Sequence, residues 1–209
     1  MSAATSRLSP LPWARLVTRL ACLVLAVVAL AACETRVETP RYADITFAHQ
    51  AQIALDVAEI EVVRVYRPTA QPPNVEVEFP VSPLDTAARW AVDRLRAVGS
   101  SGRATVRILD ASVVERPLDK TEGVTGLFTT DQAERYEARF FVELSAEDAN
   151  RGIAAQTTAE VSRSRTAPEG LTLNEREALW YEMTEKLAGD LDRQMSANIR
   201  AHMGAFLAP

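Results

Sequence analysis

Cysteine and histidine are nearly absent from this chain of 209 residues. Both cysteines, Cys22 and Cys33, lie near the amino terminus. The rest of the chain can therefore form no internal disulfide, and its stability has to come from packing. The two histidines, His49 and His202, have no second histidine or cysteine at the spacing of a metal site. We predict no metal and no cofactor.

Catalytic motifs are missing as well. The sequence has no G-x-S-x-G pattern, and no lysine follows the glycines of residues 99–102 as a phosphate loop requires. Carboxylates in predicted strands fall on polar faces, where solvation explains them. Asp110 and Asp119, near predicted strand ends, are the best candidates for a catalytic acid. Because no catalytic constellation can be assembled, we predict that the protein is not an enzyme.

Positive charge is in deficit outside the first residues. The formal net charge is −5, and three arginines but no acidic residue precede Glu34. Without those three charges, the rest of the chain carries −8. Such a surface repels phosphate backbones, so nucleic acid is not an expected partner.

The apolar run of residues 20–32 is too short for a transmembrane helix, which needs roughly 20 residues. Arg7, Arg15 and Arg19 precede this run, and small residues follow it. A positive leader, a short apolar segment and small residues before a cut are typical of a secretory signal peptide. We therefore expect residues 1–32 to be removed.

The end of the leader, Leu30-Ala31-Ala32-Cys33, resembles the lipobox of bacterial lipoproteins. That resemblance implies that Cys33 becomes the first residue and carries a diacylglyceryl group, with a further acyl chain such as palmitate on its amino group. Two or more acyl chains anchor a protein stably in a membrane. One alternative stays open, because Ala29-Leu30-Ala31 also fits an ordinary signal-peptidase site that would release a chain starting at Ala32.

The remaining chain divides into a tether and one domain. Residues 33–43 alternate charges, Thr and Pro without a helical or strand period, which predicts a flexible tether. Residues 44–209 have the length of a single domain. Glu34, next to the acylated cysteine, favours the periplasmic face of the outer membrane, and the inner membrane remains the alternative.

Two helices are marked by their caps. Ser82, Pro83 and Asp85 predict a helix start, and an apolar stripe runs from Leu84 to Val98 before a stop at Gly99. Thr172 and Glu175 form a second capping box. The long helix after it carries an apolar residue at every fourth position: Leu179, Met183, Leu187, Leu191, Met195, Ile199 and Met203. Its first half is expected in the core, whereas its second half could equally meet a partner.

Strands are predicted from alternation. Residues 53–66 change parity midway, which indicates a bulge or two short strands, and residues 75–79 predict an edge strand. Residues 104–114, 136–144 and 153–163 complete the set, the last two as a hairpin. Phe141 breaks the polar face of its strand, so we expect it to cover a helix edge or a partner.

One loop carries apolar side chains between glycines. Val124, Leu127 and Phe128 lie in the segment that joins two predicted strands. Such a loop either folds back onto its domain or inserts into a partner or lipid. We name these three residues as a candidate partner-contact loop.

The order of elements predicts an α+β two-layer sandwich, with a mostly antiparallel sheet and both helices on one face. Here the chain resembles the small auxiliary lipoproteins of the Gram-negative envelope, such as the lipopolysaccharide-assembly lipoprotein and those of lipid-transport ABC systems. The resemblance implies a non-enzymatic accessory protein that docks on an envelope complex. The alternative is a lipid- or glycan-binding module with an apolar cleft bordered by Trp90, Phe140 or Trp180.

Overall fold

A computed structural model describes residues 42–118 and 132–208, and these residues form seven strands and two α-helices. The strands are β1 (Ile53–Leu55), β2 (Glu59–Arg64), β3 (Leu95–Ala97), β4 (Arg103–Asp110), β5 (Val113–Pro117), β6 (Gln132–Asp148) and β7 (Ile153–Pro168). The helices are α1 (Pro83–Arg94) and α2 (Leu173–His202).

The long strand β6 is the centre of a five-stranded sheet. One edge of β6 pairs with β7 along its whole length, and the other pairs first with β5 and then with β4, all antiparallel. β2 extends the sheet by parallel pairing with β4, and β1 pairs separately with β3, also in parallel. Both helices pack on the sheet, α1 against β2 and β4 and α2 against β6 and β7. The predicted two-layer α+β sandwich is confirmed, with two parallel pairings that the sequence did not indicate.

Alternation places one face of β6 in the core. Its even-numbered residues from Tyr136 to Ala146 are buried under the helices, while the odd-numbered ones lie on the open face. Phe141 lies on that open face, half-buried, and the guanidinium of Arg139 stands 5.9 Å from the centre of its ring. It therefore covers neither helix.

The four-residue apolar row of α2 is buried over almost its whole length. Met195, Ile199 and Met203 are as inaccessible as Leu187 and Leu191. Thr172 caps the helix as predicted: its hydroxyl accepts from the N–H of Glu175, whose carboxylate accepts from the N–H of Thr172. The second half of α2 is thus part of the core, where its methionines adapt to a twisted sheet.

The first helix is shorter than its apolar stripe predicts. Ser82 caps it, accepting from the N–H of Asp85, but the helix ends at Arg94. Leu95 turns to extended backbone, and β3 begins there because it pairs with β1. Gly99 does not end a helix. A Cβ at this position would lie 2.6 Å from the backbone N of Val57, so only glycine lets these two segments of the backbone approach so closely.

The predicted edge strand at residues 75–79 is wrong. Glu76–Glu78 forms a 3-10 turn instead. The carboxylate of Glu76 is buried and accepts from the hydroxyl of Tyr66 at 2.6 Å and from the N–H of Val113 at 3.3 Å. Burial by itself raises the pKa of this carboxyl, but the hydrogen bonds together lower it below the usual value.

Candidate functional site

The site residues predicted from the sequence mostly lie outside the described residues. This holds for the lipidation candidate Cys33, for Asp119, and for the loop residues Val124, Leu127 and Phe128. The two sides of that loop are held together at its base, where the N–H of Leu118 donates to the carbonyl of Ala133 at 2.9 Å. The strands β5 and β6 are therefore joined to each other next to the last described residues on either side of this segment.

Asp110, the other candidate catalytic acid, has a structural role. One of its carboxylate oxygens accepts from the N–H of Ser112 at 2.9 Å, which closes the turn between β4 and β5. The other lies 3.4 Å from the guanidinium of Arg139. Both oxygens are thus engaged in holding the turn.

The outer edge of β2 is one of the open edges of the sheet. β2 is the last strand of the five-stranded sheet, and among the described residues only β4 pairs with it. Apart from Arg67, which donates to the carbonyl of Arg64 at 3.0 Å, no described residue forms a hydrogen bond with its outer main chain. An exposed strand edge is a template for another extended chain.

A groove of about 450 Å³ lies beside this edge, between β2 and α1. Val62 and Val81 form part of its apolar lining, together with Val92, which is 66% exposed. Arg64 and Asp85 form an ion pair of 3.0 Å on its wall, and Arg89 and Asp44 form a second one, also of 3.0 Å. The groove therefore has an apolar lining and charged sides.

The outer edges of β1 and β5 are covered by the chain itself. The outer side of β1 bonds to the carboxyl-terminal residues, where the N–H of Asp56 donates to Phe206 at 2.8 Å. The outer side of β5 bonds to the preceding loop, where the N–H of Val75 donates to Val113 at 3.0 Å. The edge of β2 differs from both.

The edge of β7 is protected in another way. Asn198 of α2 donates to the carbonyl of Thr158 at 2.7 Å and so occupies part of that edge. Arg163 and Arg165, on the helix side of β7, form ion pairs with Asp190 and Glu182 of α2. Charged residues on the inner side of an edge strand discourage pairing with a further strand, and Arg64 of β2, which pairs with Asp85 of α1, has the same position on its own strand.

The first described residues are fastened to the helices. The ring of Tyr42 lies 5.1 Å from that of Tyr181, and its hydroxyl donates to the carbonyl of Asn174 at 3.3 Å. Partial burial and the charge of Glu177 raise the pKa of Tyr42. Further along, the N–H of Phe47 donates to the carboxylate of Asp93 at 2.8 Å. The chain is therefore fixed to the domain from Tyr42 onward.

A polar network joins the two helices inside the domain. The carboxylate of Asp192 on α2 accepts from the guanidinium of Arg94 at 2.6 Å and from the indole of Trp90 at 2.9 Å. Arg94 also donates to the hydroxyl of Ser196 at 3.0 Å, while its third nitrogen, Nη1, is buried without a partner. Trp90 is thus a fully buried part of the helix seam and provides no surface for a ligand.

A second polar cluster closes one end of the sheet. The buried carboxylate of Asp148 accepts from the hydroxyl of Ser101 and from the guanidinium of Arg151, both at 2.7 Å. These donors, the hydroxyl first, lower the pKa of Asp148 to about 2. Arg151 also lies 2.7 Å from the carboxylate of Asp56, which links the β6–β7 turn to the connection between β1 and β2. This cluster of hydrogen bonds and ion pairs therefore links the loops at this end of the sheet.

Two features are absent from residues 42–118 and 132–208. In this part of the chain, no three side chains of His, Cys, Asp and Glu converge as metal ligands would. No α-helix there is both long enough and apolar enough to cross a membrane.

No protein-family model matches this chain, and no curated protein matches it either. Solved structures do resemble it in part. A minor lipoprotein from Acinetobacter baumannii is 15% identical over 67% of this chain and 93% of its own, with a TM-score of 0.35. Rare lipoprotein B from Shewanella oneidensis is 15% identical over 68% of this chain and 97% of its own, also with a TM-score of 0.35.

The open edge of β2 is the feature that the sequence did not reveal. Its alternating residues predict a strand but do not say which neighbour the strand has. The one sign in the sequence is Val92, an apolar residue of α1 outside the predicted apolar stripe. An apolar side chain on the outer side of a helix indicates a surface that something can cover.

Proposed function

We propose that this chain is a bacterial lipoprotein, anchored through Cys33, whose domain works by contact with other proteins. In this proposal it is a non-enzymatic accessory protein for envelope assembly or lipid transport, held at the periplasmic face of the outer membrane. The lipobox residues Leu30-Ala31-Ala32-Cys33 support the anchor, and the form of the domain supports action by contact.

The observation that carries the proposal is the filled interior of the domain. Trp90 and Phe140 have no exposed surface, and Trp180 is only 2% exposed. Trp180 stacks on Phe79 with ring centres 4.9 Å apart, and Tyr136 meets it edge-on at 5.6 Å. The rings that would border a lipid- or glycan-binding cleft are therefore packed against the domain's own side chains. A domain with such an interior has to act through its surface.

The short tether supports the same proposal. Eight residues separate Cys33 from Tyr42, and the nine steps between their Cα atoms span at most about 32 Å. Because Tyr42 is already fastened to α2, little free chain remains. A domain on so short a tether can meet only partners at or near the membrane surface.

The anchor is tested by mass spectrometry of the mature amino terminus. We expect an acylated chain that begins at Cys33, and the variant Cys33→Ser should leave the membrane fraction. The control is Cys22→Ser, which changes the other cysteine within the leader and should leave acylation intact. An unmodified chain that starts at Ala32 would contradict the lipoprotein proposal.

Docking is tested by crosslinking in intact cells, followed by purification of the chain from membranes. We expect the same envelope complex to be recovered with the parent chain and to be lost with Cys33→Ser. A chain that is acylated but recovers no protein at all would leave the anchor in place and contradict the accessory role.

A further inference from the structure

We propose that residues 42–50 form a strap that detaches from the folded domain and so lengthens the chain between the domain and the membrane. The strap is the first described segment, and it leads into β1. It lies against α1 and α2, and its release leaves both helices and the sheet in place. The lengthening rests on the proposed anchor at Cys33, whereas the release itself does not.

The strap is held by few contacts. Of its nine residues, only Ile45 and Phe47 are buried. Its main chain forms no hydrogen bond with the main chain of another described segment, and its one main-chain bond is internal, from the N–H of Gln50 to the carbonyl of Phe47 at 2.9 Å. Two buried side chains offset only part of the conformational entropy that is lost when nine residues are ordered. Segments with so few buried contacts open locally while the rest of a protein stays folded.

The polar contacts of the strap are weak or involve an unfavourably placed residue. Asp44 pairs with Arg89 of α1, but 68% and 42% of their side chains are exposed, and such pairs stabilise a fold little. The N–H of Phe47 donates to the carboxylate of Asp93 at 2.8 Å. Asp93 lies in the last turn of α1, where the helix dipole disfavours a negative charge. This carboxylate therefore holds the strap although it destabilises the end of its own helix.

Open space lies on both sides of the strap. Asp44 and Ile45 border the groove of about 450 Å³ beside α1, and they also border a second cavity of about 570 Å³ beside α2. Phe47 borders the second cavity together with the small residues Ala188 and Gly189 of α2. The strap therefore crosses between two cavities, and it can leave without any other element moving aside.

The carboxyl-terminal segment, residues 203–208, is attached in the opposite way. Met203 and Phe206 are fully buried. The carbonyl of Phe206 accepts from the N–H of Asp56 at 2.8 Å, and the N–H of Ala208 donates to the carbonyl of Ala54 at 3.0 Å. Because this segment completes the edge of β1, we expect it to stay in place as long as the domain is folded.

Release of the strap changes how far the domain reaches from the membrane. With the strap in place, the free chain ends at Tyr42, and after release it extends to Ile53, the first residue of β1. The twenty steps between the Cα atoms of Cys33 and Ile53 span at most about 70 Å, which is roughly twice the reach with the strap in place. The strap therefore sets two distances at which the domain meets a partner.

Cleavage by chymotrypsin tests the inference, because this protease cuts after phenylalanine in unfolded segments. The full-length chain is digested in mild detergent without denaturant, and mass spectrometry measures each fragment. We expect cleavage after Phe47 to be at least about tenfold faster than after Phe140 in the middle of β6 or after Phe206, although all three side chains are buried. If cleavage after Phe47 is no faster than after Phe140, the strap leaves only when the whole domain unfolds, and the inference is overturned. The same digestion of Cys33→Ser, which carries no anchor, separates a failure of the strap from a failure of the lipoprotein proposal.

Two aspartates of α1 provide matched variants. Asp93→Ala removes the acceptor of the Phe47 N–H and should accelerate cleavage after Phe47 roughly tenfold without accelerating cleavage after Phe140. The control is Asp85→Ala, which removes a carboxylate that pairs with Arg64 outside the strap and should leave cleavage after Phe47 unchanged. Circular dichroism establishes that each variant is folded. An equal acceleration at both cleavage sites, or at neither, in Asp93→Ala would contradict the inference.

Discussion

The Nε of Arg94 lies 2.6 Å from the carboxylate of Asp192, although 98 positions separate the two residues in the chain. Both side chains are almost inaccessible to water, and their bond joins α1 to α2. Trp90 and Ser196 complete the surroundings of the same carboxylate. A buried pair of this kind constrains how the helices meet more than it stabilises the fold.

Removing one partner of this pair should be costly. We expect Asp192→Ala to lower the free energy of unfolding by about 3 kcal/mol, because it leaves the guanidinium of Arg94 buried without a counter-charge. The double variant Arg94→Met/Asp192→Leu should recover most of that loss. Urea denaturation of Arg94→Met, Asp192→Leu and the double variant measures the coupling. If the effects of the single variants simply add, the pair is not coupled.

Acid should weaken the hydrogen bonds and the ion pair of the Asp148 carboxylate. The pKa of this carboxyl falls from 3.8 to about 2 on folding, so its contribution to stability is present above pH 3.8 and disappears as the pH falls through 2. We expect Asp148→Asn to lower the melting temperature at pH 7 and to differ less from the parent chain as the pH approaches 2. Thermal melts between pH 7 and pH 2 measure this difference. A difference that does not change with pH would contradict the assignment.

The apolar row of α2 offers a matched pair of leucines. Leu191 is fully buried, whereas Leu173, in the first turn, is 65% exposed. We expect Leu191→Ala to cost about 3 kcal/mol of unfolding free energy, because it opens a cavity in a packed core. Leu173→Ala should change it by less than about 0.5 kcal/mol. Equal effects in urea denaturation would mean that the core between α2 and the sheet is not tightly filled.

Glu76 and Glu78 form a second matched pair within one 3-10 turn. Glu76→Ala should lower the free energy of unfolding by about 2 kcal/mol, because the hydroxyl of Tyr66 and the N–H of Val113 lose their acceptor. Glu78 is exposed, and its replacement by Ala should have little effect. Guanidinium denaturation measures the free energy of unfolding of both variants. If Glu76→Ala does not change it, water takes the place of the carboxylate.

The candidate contact loop gives a functional prediction. We expect Leu127→Asp with Phe128→Asp to leave the melting temperature unchanged but to abolish recovery of the envelope complex. The same crosslinking and purification that test docking provide the measurement. A double variant that unfolds would assign both side chains to the core of the domain.

Local features of the sequence predicted much of the fold because they depend on near neighbours. The caps at Ser82 and Thr172 involve residues three positions apart, and both form. The alternation in β6 and the four-residue row in α2 identify buried faces, and these faces are buried. The turn between β6 and β7 leads to a hairpin as predicted.

Local patterns misled where a distant segment competed with them. Residues 95–97 continue the apolar stripe of α1, yet pairing with β1 draws them into a strand. Residues 75–79 alternate like a strand, but bonds from Tyr66 and Val113 to Glu76 favour a 3-10 turn. The local preference of a few residues for helix or strand contributes little free energy compared with the hydrogen bonds that a distant segment supplies.

The sequence by itself determined the two helix starts, the buried faces of β6 and α2, and the sandwich class. Each of these rests on residues a few positions apart. Only the tertiary structure decided that Arg94 meets Asp192, that Trp90 is fully buried, and that β2 is an edge strand of the five-stranded sheet. These features depend on which segments become neighbours, and that is settled by packing the whole domain at once.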